Sequence, residues 1–228
     1  MTSNVSSDRR LIIAIDGPSG AGKGTVARAL ADRLNYRHVD TGAMYRAIAW
    51  QAIHERLDLQ DEQALAALAS RAVIDVSDGA VVVDGHNVKQ AIRTPEIDAA
   101  AAAVARQPRV RQVLIAQQRA MGAQGGIVME GRDIGTVVFP RAEIKVYLDA
   151  SAEERARRRA TDPAHAAGQG ASVATDVASA LAERDRSDTT RKASPLALAV
   201  DAVRIDTTGM PVDEVIDRLL TLVNDYRG

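Results

Sequence analysis

Short apolar runs, each followed by a stretch with helical spacing, organise this chain. Leu11-Ile12-Ile13-Ala14-Ile15 is unbroken by polar residues and stops at Asp16 and Gly17-Pro18, the pattern of a strand buried on both faces. Val26, Ala27, Leu30, Ala31 and Leu34 then recur every three or four positions, so a helix follows. Arg37-His38-Val39 predicts a second strand, stopped at Asp40-Thr41-Gly42, and Met44, Ile48, Ala49 and Ile53 mark the next helix. Further core strands are predicted over Ile127–Met129, Ile144–Leu148 and Ala202–Ile205. A charged helix is predicted over Glu153–Ala160 and another helix over Asp176–Asp188. Val212, Val215, Ile216, Leu219 and Leu222 form the apolar stripe of a closing helix, with Pro211 at its start.

Two stretches break this rhythm. Ala72–Val76 and Ala80–Asp84 are rich in β-branched residues and end at Asp78-Gly79 and Asp84-Gly85, which predicts a small hairpin or three-stranded patch. Pro95–Ala123 has helical spacing interrupted near Pro108, and Thr161–Thr175 is a Gly-, Ala- and Ser-rich segment expected to be a mobile loop. Strands alternating with helices predict an α/β fold, a parallel sheet with helices on both faces. The expected organisation is a flexible terminus over 1–10 and a single domain over 11–228. Within that domain an inserted lobe is expected over about 45–125 and a lid over about 155–175.

Composition narrows the function. With 29 Lys+Arg against 30 Asp+Glu the net charge is −1, so no dominant field for nucleic acid or a membrane surface is expected. Aromatics at 3% argue against a base-stacking platform, and the absence of cysteine excludes disulfides, thiolate metal sites and cysteine nucleophiles. Leu11–Ile15 is too short for a signal segment or a membrane span, so a cytoplasmic, monomeric protein is expected.

The first strand is followed by Gly17-Pro18-Ser19-Gly20-Ala21-Gly22-Lys23-Gly24-Thr25, which opens a helix. Glycines let successive N–H groups converge on phosphate oxygens, and the helix start adds its dipole. Lys23 would reach the outer phosphates and Thr25 is the candidate for the Mg²⁺ side, because Gly24 stands where the common motif has Ser or Thr. A nucleophile elbow is excluded. Its fifth position would be Ala21, and none of His38, His54, His86 and His165 follows the last strands. A GTPase switch finds only Asp206-Thr207-Thr208-Gly209, after the last strand, and no guanine-reading motif.

Charged residues supply the second set of candidates. Arg46 enters the helix after Asp40-Thr41-Gly42. Arg132 and Asp133 follow a core strand, where open α/β sheets place ligands. Arg184, Asp188 and Arg191 share a helix face if that helix persists, and Arg155, Arg158 and Arg159 read as lid arginines that close on a transferring phosphoryl group.

In their order along the chain, IDGPSGAGKGT, DTGAMYR, IRTPE, PRVR, EGRDIGTVVFP, ERARRR and ERDRSDTTR resemble the bacterial cytidylate kinases over nearly the whole length. The patch near 72–90 resembles the extra small sheet of that bacterial type. The resemblance implies a P-loop kinase fold with a monophosphate-binding lobe and a lid. It also implies transfer of a phosphoryl group from ATP, with Mg²⁺, to CMP or dCMP. By the same resemblance Arg46, Arg132 and Arg191 would clamp the acceptor phosphate, with Thr41 on the acceptor side. Arg184 and Asp188 would hold the ribose, and Arg111 and Asp133 would read cytosine. Chemistry agrees, since a carboxylate accepts from the N4 amino group of cytosine. One position departs: counting back nine from Arg111 reaches Ala102, where the family pattern carries Ser. A kinase for another acceptor such as UMP, and a non-catalytic P-loop switch, remain as alternatives.

Overall fold

A computed structural model describes residues 10–76, 79–162 and 174–228, with the side chains of 174–176 excepted. The elements run β1 (Ile12–Asp16), α1 (Lys23–Leu34), β2 (Arg37–Asp40), α2 (Thr41–His54), α3 (Glu62–Arg71), β3 (Ile74–Asp75), β4 (Val82–Val83), β5 (His86–Asn87), α4 (Pro95–Arg106) and α5 (Pro108–Met121). After these come β6 (Ile127–Glu130), a π-helical turn over Ile134–Val138, β7 (Ile144–Asp149) and α6 (Ala152–Thr161). The chain closes with α7 (Ala174–Thr190), β8 (Val203–Asp206) and α8 (Val212–Arg227). The terminal residues expected to be flexible, save Arg10, and residues 163–173 of the expected lid lie outside the described residues.

Five strands form one sheet in the order β2-β6-β1-β7-β8, and every pairing is parallel. Alternate residues of β1 face opposite sides. Ile13 and Ile15 pack with Val26, Leu30, Val215 and Leu219 of α1 and α8. Ala14 packs with Met44, Ile48 and Leu114 of the α2 and α5 layer. Both faces are covered by helices, which is why β1 is apolar from Ile12 to Ile15. Between β2 and β6 the chain inserts α2 to α5 and a three-stranded antiparallel sheet, β3-β4-β5. This is the patch expected near 72–90. Among the described residues no helix is long and apolar enough to cross a membrane.

Two features have no counterpart among the elements the pattern predicts. Helix α3 is short, capped by Asp61 and anchored by Leu65, Leu68 and Ala69. The π-helical turn is held by Asp16, whose two carboxylate oxygens accept from the N–H groups of Ile134 at 2.8 Å and Gly135 at 2.7 Å. Burial, the largest influence, raises the Asp16 carboxyl to about 6. Elsewhere the chain obeys local rules. Thr94 caps α4 with Pro95 in its first turn, and Pro108 starts α5 one residue beyond Gln107.

Candidate active site

All five parallel strands end toward one cleft of 1140 Å³, lined by the loop between β1 and α1, by the inserted lobe and by α6 and α7. The loop is shaped by glycine. Gly20 and Gly22 have φ of 81° and 87°, a region other residues adopt at a cost, and a Cβ at Gly20 would lie 2.9 Å from the Arg155 carbonyl oxygen. Gly22 immediately precedes α1, so the N–H groups of the first turn open on the cleft. Gly17 serves packing instead: a Cβ there would lie 2.0 Å from the Leu148 carbonyl oxygen of β7.

Lys23 is buried and its Nζ donates to the Pro18 carbonyl at 2.7 Å. Burial, reinforced by Arg132, lowers its ammonium to about 7. Gly24 faces Glu130, whose Oε1 would be 3.1 Å from an added Cβ. The same Oε1 is 3.1 Å from His38 Nε2, in a pair that is almost fully buried. Thr25, on the next position, is exposed and lines the cleft.

Opposite the loop the cleft is built from side chains. Arg132 Nε donates to Asp188 Oδ2 at 2.8 Å, and Arg191 Nη1 approaches Asp188 Oδ1 at 3.4 Å. Arg191 lies one residue past α7, so its nearness to Asp188 does not need a longer helix. Arg111, 2% exposed, donates to Asp133 and lies over the Tyr45 ring at 5.3 Å, while Arg191 Nη2 stands 3.5 Å from the other Asp133 oxygen. Arg46, Arg159 and Arg184 meet on Asp98. Burial works to raise the Asp98 carboxyl, but Arg46, Arg184 and Arg159 outweigh it and hold it well below the usual carboxylate range. Ala102 lines the same cleft, on α4. Thr41 also lines it, though its hydroxyl donates to the Glu130 carbonyl at 2.7 Å and ties β6 to α2.

Of the residues singled out in the sequence, Ser19 to Thr25, Thr41, Arg46, Arg111, Arg132, Asp133, Arg158, Arg159, Arg184, Asp188 and Arg191 share this one cleft, and Gly17, Pro18 and Arg155 stand back from it. The three arginines of α6 divide into three settings. Arg155 is occupied by protein groups: Nε donates to the Ala150 carbonyl at 3.1 Å, and Nη1 donates to the Ser19 carbonyl at 3.1 Å and to Asp185. Asp185 in turn accepts from the Ser19 N–H at 3.2 Å, so α6 and α7 grip the loop at one residue. Arg158 donates to the Thr207 carbonyl at 2.6 Å and hydroxyl at 2.9 Å. Only Arg159 reaches across to Asp98 of the inserted lobe. The clustered spacing of these three suggested one shared role, and nothing in it could tell them apart. Asp98, Asp185, Glu130 with His38, and Thr207 are site residues whose roles the motifs did not reveal.

The family model for cytidylate kinase matches residues 13–225. This chain belongs to the cytidylate kinase family. A cytidylate kinase of Geobacillus sp. (strain WCH70) is 44% identical over 223 residues, covering 95% of this chain and 97% of the relative. That of Pelotomaculum thermopropionicum is 48% identical over 221 residues, covering 94% and 96%. Among solved structures, an uncharacterized protein from Eubacterium ventriosum superposes with a TM-score of 0.54 at 13% identity, covering 95% of this chain and 99% of its own. Shikimate kinase from Acinetobacter baumannii, in complex with shikimate, gives 0.50 at 17%, covering 95% and 94%. At such identities these two structures speak for the fold alone, that of the P-loop kinases.

Proposed function

We propose that this chain transfers the terminal phosphoryl group of ATP to the phosphate of CMP and dCMP. The observation that carries the reading is the single cleft in which a phosphate loop faces Arg46, Arg132, Arg159, Arg184 and Arg191, with the Arg111–Asp133 pair beyond them.

In the proposed reaction an acceptor phosphate oxygen attacks the γ-phosphorus in line. The bond from that phosphorus to the β–γ bridging oxygen breaks, and its electron pair leaves with ADP. The acceptor oxygen is already anionic, so no general base is needed, and the protein acts by positioning and by positive charge. The loop N–H groups and Lys23 hold the donor phosphates. Arg46, Arg132 and Arg191 hold the acceptor phosphate, and Arg159 places charge between the two. Arg184 and Asp188 face the ribose, and Thr41 fixes the strand end beneath it. Asp133 accepts from the cytosine amino group, and Arg111 donates to the ring acceptors. Arg158 and Arg155 keep α6 seated on the loop. The donor base fits against Met210, Pro211 and Val212, which line the same cleft beside Arg157.

Magnesium suits this arrangement. Glu130 presents a carboxylate oxygen against Gly24, where the common motif carries a hydroxyl, and Thr25, the next residue, is exposed and lines the cleft; both carry hard oxygen donors. Glu130 and Thr25 would hold it, and it would supply positive charge to the donor phosphates. Asp16 serves the fold, its two oxygens accepting from the Ile134 and Gly135 N–H groups of the π-helical turn.

Steady-state ADP release with and without CMP tests the reading. Turnover that requires CMP supports a kinase. Slow ATP hydrolysis indifferent to CMP would instead indicate a P-loop switch.

A further inference from the structure

Asp98 is a carboxylate shared by three of the arginines that line the cleft. It sits in the first turn of α4, and three arginines from three other helices converge on it. Arg46 Nε of α2 donates to Oδ1 at 2.9 Å, Arg184 Nη1 of α7 approaches Oδ1 at 3.4 Å, and Arg159 Nη2 of α6 donates to Oδ2. All four side chains are largely buried. Neither the cytosine nor the ribose asks for an anion here, and a bound nucleotide phosphate would be repelled by one. The arginines need one when the cleft is empty. Burial, Arg46 and Arg132 together push the Arg184 guanidinium down to about 10, so this cluster of cations carries a cost when no anion is present.

We propose that Asp98 is a built-in placeholder for the acceptor phosphate. Its carboxylate holds Arg46, Arg159 and Arg184 assembled in the empty cleft; when the nucleotide enters it releases Arg46 to the acceptor phosphate, Arg159 to the space between donor and acceptor, and Arg184 to the ribose. A carboxylate edge offers the same pair of anionic acceptors as a phosphate edge. Other carboxylates face these arginines singly, Asp40 and Glu130 toward Arg46, Asp162 toward Arg159 and Asp188 toward Arg184, and Asp98 is the one that Arg46, Arg159 and Arg184 share. Because the three arginines come from α2, α6 and α7, the placeholder also keeps the inserted lobe and α6 in register before substrate arrives. Asp98 acts through these arginines and is a positioning residue. The inference rests on the acceptor-site reading given above.

A placeholder and an ordinary structural ion pair make opposite predictions for Asp98→Asn. Titration calorimetry with CMP, inorganic phosphate and cytidine, alongside thermal melting, separates them. The variant should melt lower than wild type when empty, since the arginines lose their anion. It should bind CMP and inorganic phosphate at least about fivefold more tightly, the scale of one like-charge contact at about 4 Å removed in a water-like dielectric, and bind cytidine as wild type does. Phosphate should also raise its melting temperature by more than it raises that of wild type. Weaker or unchanged CMP affinity, or an equal gain for cytidine, overturns the inference. If the Asn variant does not fold, Asp98→Glu keeps the charge, and a Glu variant that binds CMP more tightly than wild type overturns it. Failure of wild type itself to bind CMP would remove the acceptor-site reading. Binding by wild type with no gain in the variant removes only the placeholder.

Discussion

The two sides of the cleft are made in different ways. The donor side is a contiguous loop, Ser19 to Thr25, whose working groups are mostly backbone N–H groups shaped by Gly20 and Gly22 and one buried lysine. The acceptor side is almost entirely side chain. Its arginines and carboxylates come from α2, α4, α5, the segment after β6, α6 and the end of α7. A loop of backbone donors fits any triphosphate. Guanidinium–carboxylate pairs with fixed directions can distinguish one base from another. Selectivity should therefore fail on the acceptor side, and catalytic power should be lost on either.

Mutations can break that division. The largest effect should come from Asp133→Asn. A site built around a hydrogen bond to the cytosine amino group can reject the wrong partner by as much as about 10⁴, so kcat/KM for CMP over UMP should collapse toward unity. Equal loss for both nucleotides would make Asp133 only the counter-ion of Arg111. Melting should be followed in parallel, because leaving Arg111 buried without its partner is itself destabilising.

Next come Lys23→Ala and Arg159→Ala. Each should lower kcat about 10³-fold, the lower end of the loss when an arginine finger is removed from a phosphoryl-transfer site. Both variants should remain folded, and the ratio of CMP to UMP should hold. A change confined to KM for CMP in Arg159→Ala would contradict its place between the two nucleotides. By contrast Arg155→Ala should cost about 1–3 kcal/mol of stability, the range for a lost charged hydrogen bond. Its melting point should fall by a few degrees, with loosened ATP binding. A kcat loss as large as that of Arg159→Ala, without a change in melting, would return Arg155 to the phosphoryl group.

Legibility followed the same division. The donor loop could be read because everything it needs lies within nine residues in a row. Strands β1 and β6 could be read as short apolar runs closed by polar residues and glycine, whereas β2, β7 and β8 carry polar positions and were read from the β-branched residues among them. Most acceptor residues were visible only through family motifs. Asp98 was invisible even so, because its partners lie 52, 61 and 86 residues away in sequence. In the first turn of α4 it reads as an acid complementing a helix dipole. Arg155, Arg158 and Arg159 show the converse limit of local spacing. Neighbouring positions on a helix share a face, but long side chains reach different partners from it.

Smaller effects sharpen the comparison. Ala102 lines the cleft on α4. Ala102→Ser offers a hydroxyl to the base side, and a neutral hydrogen bond nets about 0.5–1.5 kcal/mol. Steady-state kinetics should show kcat/KM for CMP rising roughly two- to tenfold, with KM for ATP unchanged. No gain, with no water found in that place, would put Ala102 away from the base. The subtlest effect is proton uptake. Lys23 titrates near 7 in the empty enzyme against an ordinary 10.5, so donor phosphates should restore its proton. Calorimetry of ATP binding in buffers of different ionisation enthalpy should show uptake approaching one proton near pH 8, fading below pH about 6. Through the same shift the empty fold should gain stability as pH rises from 7 toward 10.5, because the unfolded lysine holds its proton and the folded one does not.

The central claim is that the arginine–carboxylate side of the cleft selects a cytosine monophosphate. Its most direct test is ADP release measured across CMP, dCMP, UMP, AMP and GMP at fixed ATP and Mg²⁺. The account predicts high kcat/KM for CMP and dCMP, with UMP well below them and the purine monophosphates lower still. Comparable rates for CMP and UMP, or a preference for a purine acceptor, would contradict it.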